Sequence, residues 1–142
     1  MATTVLILSD KNETRSLILE GWLKYYAKSD AEIKSAGLES GKLNLIAAKA
    51  MMEAVIDITK YKSKALDSIE NDQFDHIITL TEEAHKLTLN KFPKAQIHHK
   101  PTIHPLNEKD EDMEKLKKHR KTVNELEEYA MEFTHKHIRK LI

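Results

Sequence analysis

The chain has 142 residues, with 23 Lys and Arg balanced by 23 Asp and Glu, and no cysteine. That length suits one domain with a buried core, and a formal net charge of zero without long single-sign runs argues against a nucleic-acid or anionic-membrane surface. The missing cysteine excludes disulfides, thiolate metal sites and thiol chemistry together.

Apolar strand-like runs alternate with helical patterns, which predicts βαβ units and a parallel sheet. The first strand is Thr4 to Leu8, and it stops at a polar stretch, Ser9 to Ser16, read as a loop. This opening segment is too short for a membrane span. It ends at Asp10 without the basic start and small-residue cleavage site of a secretory signal, so a cytoplasmic protein with no membrane partner is expected. From Arg15 to Ala27, Leu17, Leu19, Trp22, Leu23 and Tyr26 recur at roughly helical spacing. The segment from Ala31, carrying Ile33, reads as a short second strand before a turn at Gly37. Asn44 suits the N-cap of an Ala- and Met-rich helix running to about Val55. Asp75 to Leu80 (DHIITL) is an interior strand, after which Thr81 or Glu82 opens a short helix. Gln96 to His99 is a fourth strand, Pro101 and Pro105 mark a loop, and Asp112 to Leu141 forms a long amphipathic helix. The expectation is one domain over residues 1–142: an α/β fold with a four-stranded parallel sheet, doubly wound, in flavodoxin-like order.

In such sheets crossovers are right-handed and ligands bind outside the carboxyl ends of the strands, where strand order reverses. The loop after the first strand is therefore the prime site candidate. Thr81, after DHIITL, and His104, in the loop after the fourth strand, should share its rim.

Ser9, five residues, Arg15 and Ser16 lead into a helix containing Glu20-Gly21-Trp22. Ser35-Ala36-Gly37, Leu43-Asn44 with Ala48-Lys49-Ala50-Met51, Ile56-Asp57-Ile58 and Ile78-Thr79-Leu80 follow in order. This ordered set, covering nearly the whole chain, resembles the low-molecular-weight protein tyrosine phosphatases and the thioredoxin-coupled arsenate reductases that share their fold. The resemblance implies a Cys-x5-Arg loop in which a cysteine thiolate attacks phosphorus or arsenic. Loop N–H groups would cradle a tetrahedral oxyanion while the arginine clamps two of its oxygens. An aspartic acid before a proline would protonate the leaving group. In the reductases two further cysteines after the third strand carry the oxidation away as a disulfide.

Each reacting position departs from that pattern. Ser9 stands where the cysteine would be, and a hydroxyl without an evident base is a poor nucleophile. His104, followed by Pro105, falls at the general-acid position, while Thr81 and Thr88 keep the seven-residue spacing of the shuttle cysteines without their sulfur. The expected anion-binding loop comprises Ser9, Asp10, Lys11, Asn12, Glu13, Thr14, Arg15 and Ser16. Within it Asn12, Arg15 and Ser16 are retained and Lys11 replaces the family's usual glycine. Asp10 and Glu13 add two carboxylates where a dianion would approach, unless they point outward or pair with Lys11, and the loop charge sums to zero. Glu13 also has a structural reading, because acids favour a helix N-terminus; Arg15 opposes that dipole and is read as functional.

Eight histidines invite a metal, and IHHKPTIH concentrates three. His98 and His99 in a strand point to opposite faces, and His135 and His137, two apart on a helix, do not face each other. No zinc set is predicted and no cofactor is expected; the histidines read as surface groups, with His104 kept as a proton donor or anion contact. Trp22, Tyr26, Met51 and Met52 read as core, Tyr25 as outward, and Glu114 to Lys121 as a solvated face. The leading functional expectation is a catalytically inactive family member with a residual site for phosphate, arsenate or a phosphorylated protein. The alternatives are a module binding a protein partner, with a vestigial anion site, and a hydrolase of altered chemistry using Ser9, His104 or Asp10.

Overall fold

The computed structural model describes residues 2–69 and 73–141. Strands β1 (Thr3–Lys11), β2 (Ala31–Glu39), β3 (His76–Thr79) and β4 (Gln96–His99) form one sheet in the order β2-β1-β3-β4. Every pairing is parallel. The helices are α1 (Arg15–Ala27), α2 (Leu45–Glu53), α3 (Glu82–Lys91) and α4 (Asp112–His137). After β1 the chain adds β2 on one side and returns to place β3 on the other, so strand order reverses beside the carboxyl end of β1. This is the expected doubly wound α/β sheet.

Side-chain alternation along β1 splits the core in two. Val5 and Ile7 pack with Leu19, Leu23, Met51, Leu126 and Phe133 on the face covered by α1, α2 and α4. Leu6 and Leu8 pack with Leu66, Ile77, Ala84 and Phe92 on the α3 face. Each such side chain, fully removed from water, contributes roughly 2 kcal/mol. Buried on both faces, β1 has to be apolar throughout rather than alternating.

Helix ends follow local chemistry. Asn44 Oδ1 accepts the Ile46 N–H at 2.9 Å and caps α2. At the other end the Val55 N–H donates to Met52 O (2.8 Å) and the Ile56 N–H to Met51 O (3.1 Å), with Val55 at φ 63°. That is a Schellman stop built on a β-branched residue instead of glycine.

Several expectations are corrected. β1 continues past Leu8 to Lys11, pairing Ser9 with Gly37 and Lys11 with Glu39, so Ser9, Asp10 and Lys11 lie in strand, not loop. Gly37 accordingly lies inside β2 and not at a turn. A Cβ there would stand 2.5 Å from Glu39 O and 2.6 Å from Asn12 N, so the glycine marks a close backbone approach. The last helix stops at His137, short of Leu141, where the Ile138 and Arg139 N–H groups share Thr134 O. Met52 is 45% exposed, because only one side of α2 is covered; Trp22 is buried and Tyr25 faces outward as expected. No helix among the described residues is long and apolar enough to cross a membrane.

Candidate oxyanion loop and its rim

Ser9 and Asn12 are buried between β1, β2 and the start of α1. Asn12 is a hub: Nδ2 donates to Ser16 Oγ (2.8 Å) and Ser35 Oγ (2.9 Å), and Oδ1 accepts the Lys64 N–H (2.9 Å). The Ser9 hydroxyl donates to the Lys11 carbonyl at 2.8 Å, so its 2.9 Å contact with Ser16 is one it accepts. Ser35 in turn donates to Glu20 Oε1, while Glu20 Oε2 receives Lys24 Nζ at 2.6 Å. The buried Glu20 carboxylate is thus paired on both oxygens, as a charge at such depth requires. Ser9, by contrast, has only a hydroxyl and a carbonyl as partners, and neither is a base.

The two added acids are engaged on the rim. Asp10 Oδ1 accepts the Thr81 hydroxyl at 2.7 Å, and Glu13 Oε2 accepts the Lys42 N–H at 3.0 Å. Lys11 pairs across the strands with Glu39 (3.6 Å) instead of with either loop acid. Arg15 Nη1 donates to the Thr102 carbonyl at 2.7 Å, and burial pulls its pKa below the ordinary value against the opposing pull of Asp10. It stays a cation in any case.

Thr14 precedes α1 but makes no side-chain cap to it. Its Oγ1 accepts Asn44 Nδ2 at 3.0 Å, and the same Nδ2 lies 2.9 Å from His119 Nε2. His119 Nδ1 is 2.7 Å from the Lys115 carbonyl. His119 is fully buried, which overturns its reading as a surface histidine. The signal was available: His119, Thr122, Val123, Leu126, Ala130 and Phe133 recur at helical spacing as the buried stripe of α4.

His104 is exposed on the rim, and its Nδ1 accepts the Leu106 N–H at 3.1 Å, which leaves the proton on Nε2. Its pKa is lowered by desolvation first, then by Arg15 and His119, with Glu13 and Asp10 opposing. At neutral pH it therefore offers a neutral N–H donor. Thr81 caps α3, accepting the Ala84 N–H at 3.3 Å, so Asp10, Thr81, Arg15 and the Thr102–His104 segment do share one rim. Thr88 lies away from these contacts, buried in α3 with its hydroxyl on the His85 carbonyl (2.8 Å).

His98 and His99 point to opposite faces of β4, as expected, but His98 is not a surface group. Its Nε2 lies 3.0 Å from His76 Nδ1, and the His137 ring is centred 4.8 Å away, all against Phe133. The β3–β4 register opposes His76 to Gln96, which puts His98, two residues on, on the same face. Burial, then His76 and His137, push the His98 pKa down to about 4. On the other face His99 meets Thr79 Oγ1 at 2.8 Å and stacks on His85. Among the described residues no group of three or more His, Asp or Glu is placed to hold a metal ion.

These features define a parallel α/β protein whose candidate site is a strand-to-helix turn at the topological switch point, a place where backbone amides and a helix N-terminus favour anions. The chain belongs to the low molecular weight phosphotyrosine protein phosphatase family, whose profile matches residues 4–140. An arsenate reductase of Bacillus subtilis (strain 168) is 38% identical over 80 residues, 56% of this chain. The match spans 58% of that relative's length. The low molecular weight protein tyrosine phosphatase from T. tengcongensis superposes with a TM-score of 0.80 at 20% identity, covering 95% of this chain and 99% of that one. An arsenate reductase in its phosphate binding state gives 0.75 at 21% identity, covering 94% and 98%. Both structures share the fold.

Proposed function

We propose that this chain is a catalytically silent, cytoplasmic member of its family that keeps the frame of an oxyanion site and uses it to bind phosphate, arsenate or a phosphorylated side chain. The observation that carries the reading is Ser9. It stands at the nucleophile position, and its proton is committed to the Lys11 carbonyl with no base among its partners. A thiol, with an ordinary pKa of about 8.5, is within reach of ionisation by loop dipoles. An alcohol is not, and it needs an adjacent base. Binding demands less than turnover. Arg15 rests on a neutral carbonyl, and charge-assisted pairing with an anion is stronger than that contact, so exchange is favoured when an anion arrives. Asp10 and Glu13 keep their charge but are each held in place by a neutral donor, Thr81 and the Lys42 N–H.

A second reading, a module binding a protein partner, is favoured by Leu45 and Ile103. They are 76% and 88% exposed and directly follow Asn44 and Thr102, the residues that hold Thr14 and Arg15. A hydrolase of altered chemistry has no such support, since no described residue pairs Ser9 with a base.

The test is a backbone amide NMR titration with phosphate, arsenate and vanadate, with Arg15→Ala as control. The expected result is saturable shifts over Ser9 to Ser16 that the control abolishes. No shift at millimolar anion would sink the binding reading in favour of a protein partner. Phosphomonoesterase or arsenate reductase turnover that depends on Ser9 or Arg15 would overturn catalytic silence.

A further inference from the structure

We propose that His119 is a positioning residue for the candidate oxyanion loop, holding Thr14 through Asn44 only while its imidazole is neutral. The inference rests on reading residues 9–16 as that loop, and it adds a proton-sensitive tie between α4 and the start of α1.

Two fixed groups settle every proton in the bridge. The Ile46 N–H can only donate, so the Asn44 side-chain oxygen faces it and the amide nitrogen faces the other way. That nitrogen carries two hydrogens. One meets Thr14 Oγ1 at 3.0 Å and the other His119 Nε2 at 2.9 Å. The Lys115 carbonyl can only accept, so His119 Nδ1 carries the ring proton and Nε2 presents a lone pair. The chain of donors is complete and has one arrangement. A second proton on the ring would land on Nε2 and face the Asn44 amide hydrogens, donor against donor. The bridge would then break.

What the bridge holds is the entry to α1. The Asn44 N–H donates to Glu13 O at 3.0 Å, so Asn44 grips two successive loop residues, one with its backbone and one with its side chain. The Thr14 carbonyl accepts the Ile18 N–H at 2.9 Å, the first turn of the helix that begins at Arg15. Loss of the side-chain grip frees Thr14 beside the arginine that an anion requires.

The surroundings of the ring keep it neutral. It is fully buried, and desolvation lowers its pKa against the weaker, opposite pull of the Lys115 carbonyl. From the loop after β4, His104 feels it as a like charge, and Arg15, Glu13 and Asp10 act on that same His104. On its own helix Lys115 is turned to Glu108 (3.6 Å) and Lys118 to Asp110 (2.6 Å). The ring's own hydrogen-bond partners are Asn44 and a carbonyl, neither of them a carboxylate. The tie is therefore present at and above neutral pH and lost as pH falls below the ordinary imidazole range.

The experiment is a pH titration of the anion-free protein from about pH 8 to about pH 5, following by NMR the His119 ring nitrogens, the Asn44 side-chain amide, and the Thr14 and Arg15 backbone amides. All should move with one shared midpoint below about 6.5. His119→Gln, which offers an amide oxygen but cannot titrate, should hold the loop signals flat. Asn44→Asp keeps a capping residue while replacing the donor by a carboxylate, and should raise the His119 midpoint. It decides the matter if His119→Gln fails to fold. Loop amides that still titrate in His119→Gln would overturn the proposal, as would loop amides that stay flat while the ring titrates, or an unmoved midpoint in Asn44→Asp. No anion is present, so a failure of oxyanion binding would leave this readout intact, and the anion titration at neutral pH does not depend on it.

Discussion

The turn above β1 and β2 and the edge strand β4 are both rich in polar side chains, yet they satisfy them differently. Around Asn12, hydroxyls, an amide and a paired carboxylate hand hydrogen bonds to one another from Ser9 to Lys24, and each donor has an acceptor. Around His98, imidazoles meet imidazoles: His76 and His137 on one face, with His99 against His85 on the other. The first set holds its protonation across the neutral range. The second set resists a proton, because burial and neighbouring imidazoles hold His76 and His98 below the ordinary imidazole value, and a pair of imidazoles shares one bridging proton while repelling a second. Polar burial around Asn12 therefore gives rigidity, while the buried histidines give sensitivity to acid.

The strongest way to break this contrast is Gly37→Ala. Its Cβ would meet Glu39 O and Asn12 N, backbone atoms that cannot swing aside, so a loss of about 3 kcal/mol is expected in urea unfolding. A near-neutral result would mean that the turn over β2 is soft. Asn12→Ala comes next: it strips partners from Ser16, Ser35 and the Lys64 N–H at a buried position, with an expected cost of about 2 kcal/mol. Wild-type stability there would show that the hub is redundant.

Acid acts on the histidines of both regions and leaves the Asn12 network aside. His76, His98, His104 and His119 all have lowered pKa values, chiefly through desolvation. The unfolded chain binds those protons near the ordinary value of about 6.5, whereas the folded chain resists until lower pH. Stability should thus be level above that point and fall as pH drops toward about 4, where His98 is protonated in the fold. A loss of roughly 5 °C in Tm between about pH 7 and about pH 5 is expected. His98→Gln should flatten the slope, and Ser35→Ala should leave it unchanged while lowering the whole curve. The smallest effect is a reference outside both regions. Val55, 84% exposed at φ 63°, holds a left-handed conformation that strains a β-branched residue and suits glycine, so Val55→Gly should gain about 1 kcal/mol in thermal unfolding.

Much of the frame was legible residue by residue. The limits of α1 and β4, the Asn44 cap, the opening of α3 at Thr81 or Glu82 and the opposed faces of His98 and His99 match their reading from sequence, because periodicity and capping act within a few residues. His119 lies on the buried stripe of α4, where its polar character hides it among the charged residues of that helix. The extra length of β1 was hidden because Asp10 and Lys11 look like loop. Their pairing with β2 depends on a glycine 26 or more residues away that lets the backbones close.

By itself the sequence determined the types and order of the elements, the parallel sheet, and the absence of any thiol at the end of β1. Only the tertiary structure decided what each polar group near that point holds: Lys64 and Ser35 on Asn12, Thr81 on Asp10, Thr102 on Arg15, His119 on Asn44. Hydrophobic patterning is averaged over many residues and survives in one dimension. A hydrogen bond is short and directional, and its partner comes from wherever the fold brings a donor within about 3 Å.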